Sequence, residues 1–136
     1  MSGCVVLLGG MAVHTHSRTQ ASVAMSSCES ELYAMTSGSA EVLFVKSWLD
    51  EQGVAVARAT VWSDSSSAIA VAYKRGTGTR LKHVAIRDLA LQQWVREHRL
   101  SIAKVPTAEN VSDFLTKCVS LLMMAVGCEG CQIGPP

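Results

Sequence analysis

One stretch of the chain carries a helix start, a sustained apolar stripe and a helix stop in succession. It restricts the possible folds more than any other feature. Ser26 stands three residues before Glu29, the spacing of a capping box. Leu32, Met35, Val42, Val45 and Leu49 then recur along one helical face, and Gly53 follows as the stop. This spacing predicts a helix of about six turns, and an apolar stripe of that length needs a second layer to cover it.

The flanks supply that layer. Residues 5–8 and 12–16 are β-prone pieces on either side of Gly9-Gly10, and 20–25 is a third, so the first 25 residues read as an antiparallel hairpin or meander. Residues 59–62 have a buried-strand pattern, and Asp64 with the three serines after it leads into a short helix over 68–72, which puts the carboxylate at their junction. Past Gly76 and Gly78, helical spacing resumes over 82–98, with Ile86, Ala90, Leu91, Trp94 and Val95 inward. A strand over 100–105 closes at Pro106, and Thr107 can cap a last helix bearing Asp113. The order β, β, β, α, β, α, α, β, α is that of a mixed α/β domain without internal repeats. We place this domain over residues 1–122 and a flexible Gly/Cys/Pro tail over 123–136.

At 136 residues and 49% hydrophobic, the chain can bury a core. Its net charge of +1 gives no global attraction to nucleic acid or membrane, but the charge is segregated. Between Arg58 and Arg87 lie six basic residues against the single acid Asp64, leaving the remainder net negative. The longest apolar run, over 4–13, is broken by two glycines and falls short of the roughly 20 residues a membrane span requires. Met1-Ser2-Gly3 lacks the basic start of a secretory leader. Five cysteines (Cys4, Cys28, Cys118, Cys128, Cys131) fit neither a paired framework nor a four-ligand zinc site. The expectation is an intracellular protein with no membrane partner.

Most acids fall where helix surfaces and caps ordinarily place them, Glu29, Glu41 and Glu109 among them. Glu31, Asp64 and Asp113 differ, each standing beside apolar residues at the end or first turn of an element. Carboxylates converging from three elements would repel one another unless a divalent cation lay between them, and hard oxygen ligands suit Mg²⁺ or Mn²⁺. Paired ions ~4 Å apart can activate water and stabilise a leaving oxygen in phosphodiester cleavage. Taken singly, each acid also fits a helix-dipole or turn position.

Four blocks around these residues resemble, in order, the ribonuclease H domain of copia-type retrotransposon polyproteins. They are Ala24-Met-Ser-Ser-Cys-Glu-Ser-Glu-Leu-Tyr-Ala-Met35, Val61-Trp-Ser-Asp-Ser-Ser-Ser-Ala-Ile-Ala70, Leu81-Lys-His-Val-Ala-Ile-Arg87 and Val105-Pro-Thr-Ala-Glu-Asn-Val-Ser-Asp-Phe-Leu-Thr-Lys117. The resemblance covers about residues 3 to 120. It implies a ribonuclease H-like fold, a five-stranded mixed sheet with helices on both faces, and hydrolysis of the RNA strand of RNA·DNA hybrids beside an upstream reverse transcriptase region. By motif, the metal-binding catalytic acids carry over to Glu31, Asp64 and Asp113.

The family's first, central strand and its catalytic Asp lie upstream of the stretch matching Ser2 to Leu7, and this chain begins at Met1. The expectation is a site lacking one ligand, a sheet lacking its middle and impaired hydrolysis, unless an upstream segment or another chain fills the gap. Cys28 also replaces the family's Thr. Lys74, Arg75, Arg80, Lys82, His83 and Arg87 are candidate contacts to hybrid phosphates, with a solvated helix face as the competing reading. A non-catalytic nucleic-acid-binding remnant is the alternative function. His14 and His16 share a strand face and could chelate a metal, but with no third ligand apparent they read as a surface pair. Trp48, Trp62 and Trp94 read as core-facing, and 121–126 as the end of the last helix.

Overall fold

In the computed structural model the described residues are 2–20, 24, 26–56, 58–74 and 86–115, with the side chains of 86–88, 113 and 114 excepted. The chain opens with strands β1 (Ser2–Leu8) and β2 (Met11–Arg18), paired antiparallel from Ser2↔Arg18 to Leu8↔Met11. Gly9 and Gly10 take φ of +60° and +86°, the left-handed pair that a two-residue hairpin turn requires. The register shifts between Val6 and Leu7, so Val13 is left without a partner as a bulge.

Helix α1 (Ser27–Glu51) follows, longer than the spacing predicts. Ser26 caps it, its hydroxyl accepting from Glu29 N at 3.2 Å. Its last turn closes on Gly53 at φ +77°, where Gly53 N donates to Asp50 O and Val54 N to Leu49 O. Leu32, Met35 and Leu49 are buried as the stripe predicts. The middle of α1 is different: Thr36, Gly38 and Ser39 are buried there, so the helix meets its neighbours over small side chains. A Cβ at position 38 would lie 3.3 Å from Cys4 Sγ, and glycine is what lets β1 approach so closely.

Strand β3 (Thr60–Ser63), helix α2 (Ser66–Tyr73), helix α3 (Ile86–Arg96) and strand β4 (Ser101–Lys104) complete the α-helices and strands among the described residues. β3 and β4 pair in parallel from Thr60↔Ser101 to Ser63↔Lys104. All three helices bear on the core: Leu32, Met35, Ala68, Ala72, Leu91 and Val95 pack with Ala59, Leu100 and Ile102. The Tyr73 hydroxyl donates to Ile102 O at 3.0 Å and accepts from Ile102 N at 3.2 Å, occupying both backbone groups of that residue on the outer edge of β4.

Several expectations change. Among the described residues the strands form two separate two-stranded sheets, not one five-stranded mixed sheet. Gln20 and Ala24 are not in strand, and the rest of the expected third strand lies outside the described residues. Thr107 caps nothing; it opens a 3₁₀ turn over Thr107–Glu109, and a second follows over Val111–Leu115. Trp48 and Trp62 are 55% and 62% exposed, because helix length and strand alternation turn both outward; Trp94 alone of the three packs against the core. The tail and residues 121–126 lie outside the described residues. Among the described residues no helix is long and apolar enough to cross a membrane.

Candidate active site

Two hydrogen-bonded junctions position the acids. At the first, Gln20 holds the start of β1 against the first turn of α1: its Nε2 donates to Ser2 Oγ at 2.7 Å and to Ser30 O at 2.9 Å, and its Oε1 accepts from Ser30 Oγ at 3.1 Å. Glu31 is the next residue on α1. At the second, β3 ends in buried Ser63, whose hydroxyl accepts from Ser65 N at 3.2 Å. Ser65 in turn caps α2 by accepting from Ala68 N at 3.3 Å. Asp64 is held between these two serines, where sequence reasoning places it.

Both carboxylates line one cavity of about 480 Å³. Its floor is α1, with Met35, Val42 and Leu49 contributing, and its walls are β1 and β3. Consecutive residues of both strands, 3–9 and 58–63, line it, so the strand edges look into it and not only one face of each. This gap divides the two sheets. The far wall is the segment after β4, where Asn110 Oδ1 accepts from Ser112 N at 3.3 Å and from Ser112 Oγ at 2.8 Å. Ser17, opposite Gly3 in the hairpin, donates to Leu115 O at 2.8 Å. The start of β1 thus lies beside the second turn after β4.

The predicted residues separate clearly. Glu31 and Asp64, from α1 and the β3–α2 junction, share the cavity. Asp113 falls on the second 3₁₀ turn, directly after lining residues Val111 and Ser112, and its side chain lies outside the described residues. Lys74 is exposed and caps the C-terminal end of α2. Arg75, Arg80, Lys82 and His83 lie outside the described residues, as does the side chain of Arg87 on α3.

Sequence reasoning missed three acids. Glu109, filed with surface acids, lines the same cavity as Glu31 and Asp64; no local pattern in the sequence signals this. Glu29 is buried, not superficial, and accepts from the Tyr33 hydroxyl one turn on. Glu41 stands beside His14, with 3.7 Å between Oε2 and Nε2, giving the histidine pair the third neighbour that sequence could not supply. In the cavity the donors contributed by Glu31, Asp64 and Glu109 are all oxygen, the set that hard divalent cations such as Mg²⁺ or Mn²⁺ take and softer metals do not require.

The chain is 32% identical over 118 residues to the retrovirus-related Pol polyprotein from transposon TNT 1-94 of Nicotiana tabacum, a match covering 87% of this chain and 9% of that protein. It is 29% and 28% identical over 120 residues to the retrovirus-related Pol polyproteins from transposons RE1 and RE2 of Arabidopsis thaliana, covering 88% of the chain and 8% of each. No family model and no solved structure matches. With 8–9% of those relatives' length spanned, the chain is similar, along most of its own length, to one short segment of retrovirus-related Pol polyproteins from plant transposons.

Proposed function

We propose that the chain is the greater part of a retrotransposon ribonuclease H domain, a hydrolase for the RNA strand of RNA·DNA hybrids. One observation carries the reading: Glu31 and Asp64, chosen from sequence on separate elements, line a single cavity. The similarity to Pol polyproteins supports it. On this reading the gap between β1 and β3 receives the family's first strand with its Asp. That strand would join the β1–β2 and β3–β4 pairs into one sheet.

Glu31, Asp64 and Asp113 would hold Mg²⁺ or Mn²⁺, which supplies charge neutralisation and an activated water for phosphodiester cleavage. The protein's own part is positional. The Gln20 clamp fixes the first turn of α1, and the Ser63–Ser65 pair fixes Asp64. The basic stretch beginning at Lys74 would bind hybrid phosphates, with strand choice resting on the RNA 2′-OH.

The test is hydrolysis of a labelled RNA·DNA hybrid with Mg²⁺ or Mn²⁺. The chain is compared with a form extended upstream through the family's first strand. Cleavage is expected in the extended form, with little or none in the chain alone, and Asp64→Asn should lower the extended form's rate about a hundredfold or more. An unchanged rate in Asp64→Asn removes the assignment. Tight hybrid binding with no cleavage in the extended form replaces it with the binding-remnant reading.

A further inference from the structure

The inner face of the hairpin presents chemistry that the acidic cavity does not use. Alternation along β2 turns Ala12, His14 and His16 toward α1 while Met11, Val13 and Thr15 face out. From the helix comes Glu41, about three turns beyond Glu31. One ligand atom from each of His14, His16 and Glu41 can be chosen so that all lie within 4.8 Å of one another. The imidazole rings are 5.7 Å apart between centroids and tilted by 60°.

A second observation points to a ligand. His14 Nε2 and His16 Nδ1 are both buried atoms without a hydrogen-bond partner. A buried ring nitrogen left unpaired forfeits its hydration with nothing in return, and two in one cluster would ordinarily be selected against. Each nitrogen is a lone-pair donor when the ring is neutral, and both belong to the residues that Glu41 joins. Arg18 lies behind the carboxylate, 3.9 Å from its other oxygen, Oε1, and leaves Oε2 on the histidine side.

We propose that His14, His16 and Glu41 form a zinc-binding site that fastens β2 to α1. Two imidazoles and a carboxylate are a common Zn²⁺ donor set, with water in the remaining position. In tetrahedral geometry at ordinary Zn–N and Zn–O lengths the ligand atoms sit about 3.3 Å apart. The present 3.7 Å between His14 and Glu41, and the 4.8 Å that bounds all three ligand atoms, must therefore contract as the ion binds. The carboxylates around Asp64 would prefer harder ions, so the two sites would differ in metal as well as place.

The test is Zn²⁺ titration of the full chain against a chromogenic chelator, with Cys118, Cys128 and Cys131 changed to Ser so that these thiols cannot contribute. One ion per chain is expected at this site. His14→Asn, His16→Asn and Glu41→Gln should each weaken it at least about tenfold, and Asp64→Asn should leave that affinity in place. Because a variant can lose binding by losing its fold, the unsubstituted histidines are also followed by NMR. Zn²⁺ should move the ring resonances of His14 and His16 and spare His98. Affinity unchanged in all three variants, or perturbation of His98 without His14 and His16, overturns the site.

Discussion

The two small sheets are covered by the same helix and are built on opposite chemistry. Against β3–β4, α1 places Leu32 and Met35, and α2 and α3 add Ala68, Ala72, Leu91 and Val95, so the contact is apolar. Against β1–β2 it places Gly38 and Glu41, which meet Cys4 and His14. Burial together with the nearby Glu41 carboxylate pushes the Cys4 thiol up to about 11, so it stays protonated at neutral pH. Burial, followed by the charge of Arg18, pushes His16 below the usual histidine value. One side of α1 is held by dispersion and water exclusion, the other by close approach and polar contacts whose strength depends on what occupies them.

Substitutions can sharpen that contrast. The largest effect should come from Leu91→Ala on the apolar side: this leucine is fully buried in the core cluster, and denaturant unfolding should show a loss of about 3 kcal/mol. On the hairpin side, Gly38→Val should cost about 2 kcal/mol by wedging β1 away from α1, and Cys4 should then alkylate faster in native protein. If Gly38→Val were silent, the close approach would not be what joins the hairpin to the helix. Tyr73→Phe removes two hydrogen bonds to Ile102 and should lower stability by about 1 kcal/mol, read from the urea midpoint at unchanged slope.

The smallest change compares two helix ends of the same design. After α3, His98 N donates to Val95 O and Arg99 N to Trp94 O, the same pair of bonds that closes α1 at Gly53. At α3, however, the left-handed position holds a histidine, with φ 55°. His98→Gly should raise stability by about 0.5–1 kcal/mol, and Gly53→Ala should lower it by a similar amount. Thermal midpoints moving in the same direction would contradict this account.

The parts of the fold legible in sequence were those written by neighbours along the chain. Gly9-Gly10 specifies a tight turn through its own backbone freedom, and the Ser26–Glu29 cap and Gly53 stop bound α1 without reference to anything else. Asp64 was legible because a strand end and a helix cap meet at it. What was missed depends on partners distant in sequence. Glu41 acquires meaning only when β2 folds onto α1, and neither histidine spacing nor the glutamate's own surroundings encode that contact. Trp48 and Trp62 misled because residue type was taken for burial; large aromatics often stay partly exposed, and here the positions turn outward. The resemblance to a continuous mixed sheet carried pairing that the described strands make only in two pieces.

Tyr73 makes the two sides of the β3–β4 pair unequal. On the β4 side a phenol answers the N–H and C=O of Ile102, so an incoming chain cannot pair at the middle of that strand. On the β3 side the backbone faces the cavity that Glu31 and Asp64 line, a gap of about 480 Å³. This pair therefore receives a strand more readily on one side than on the other. Such a bias suits completion of a sheet better than the two-ended stacking from which filaments grow.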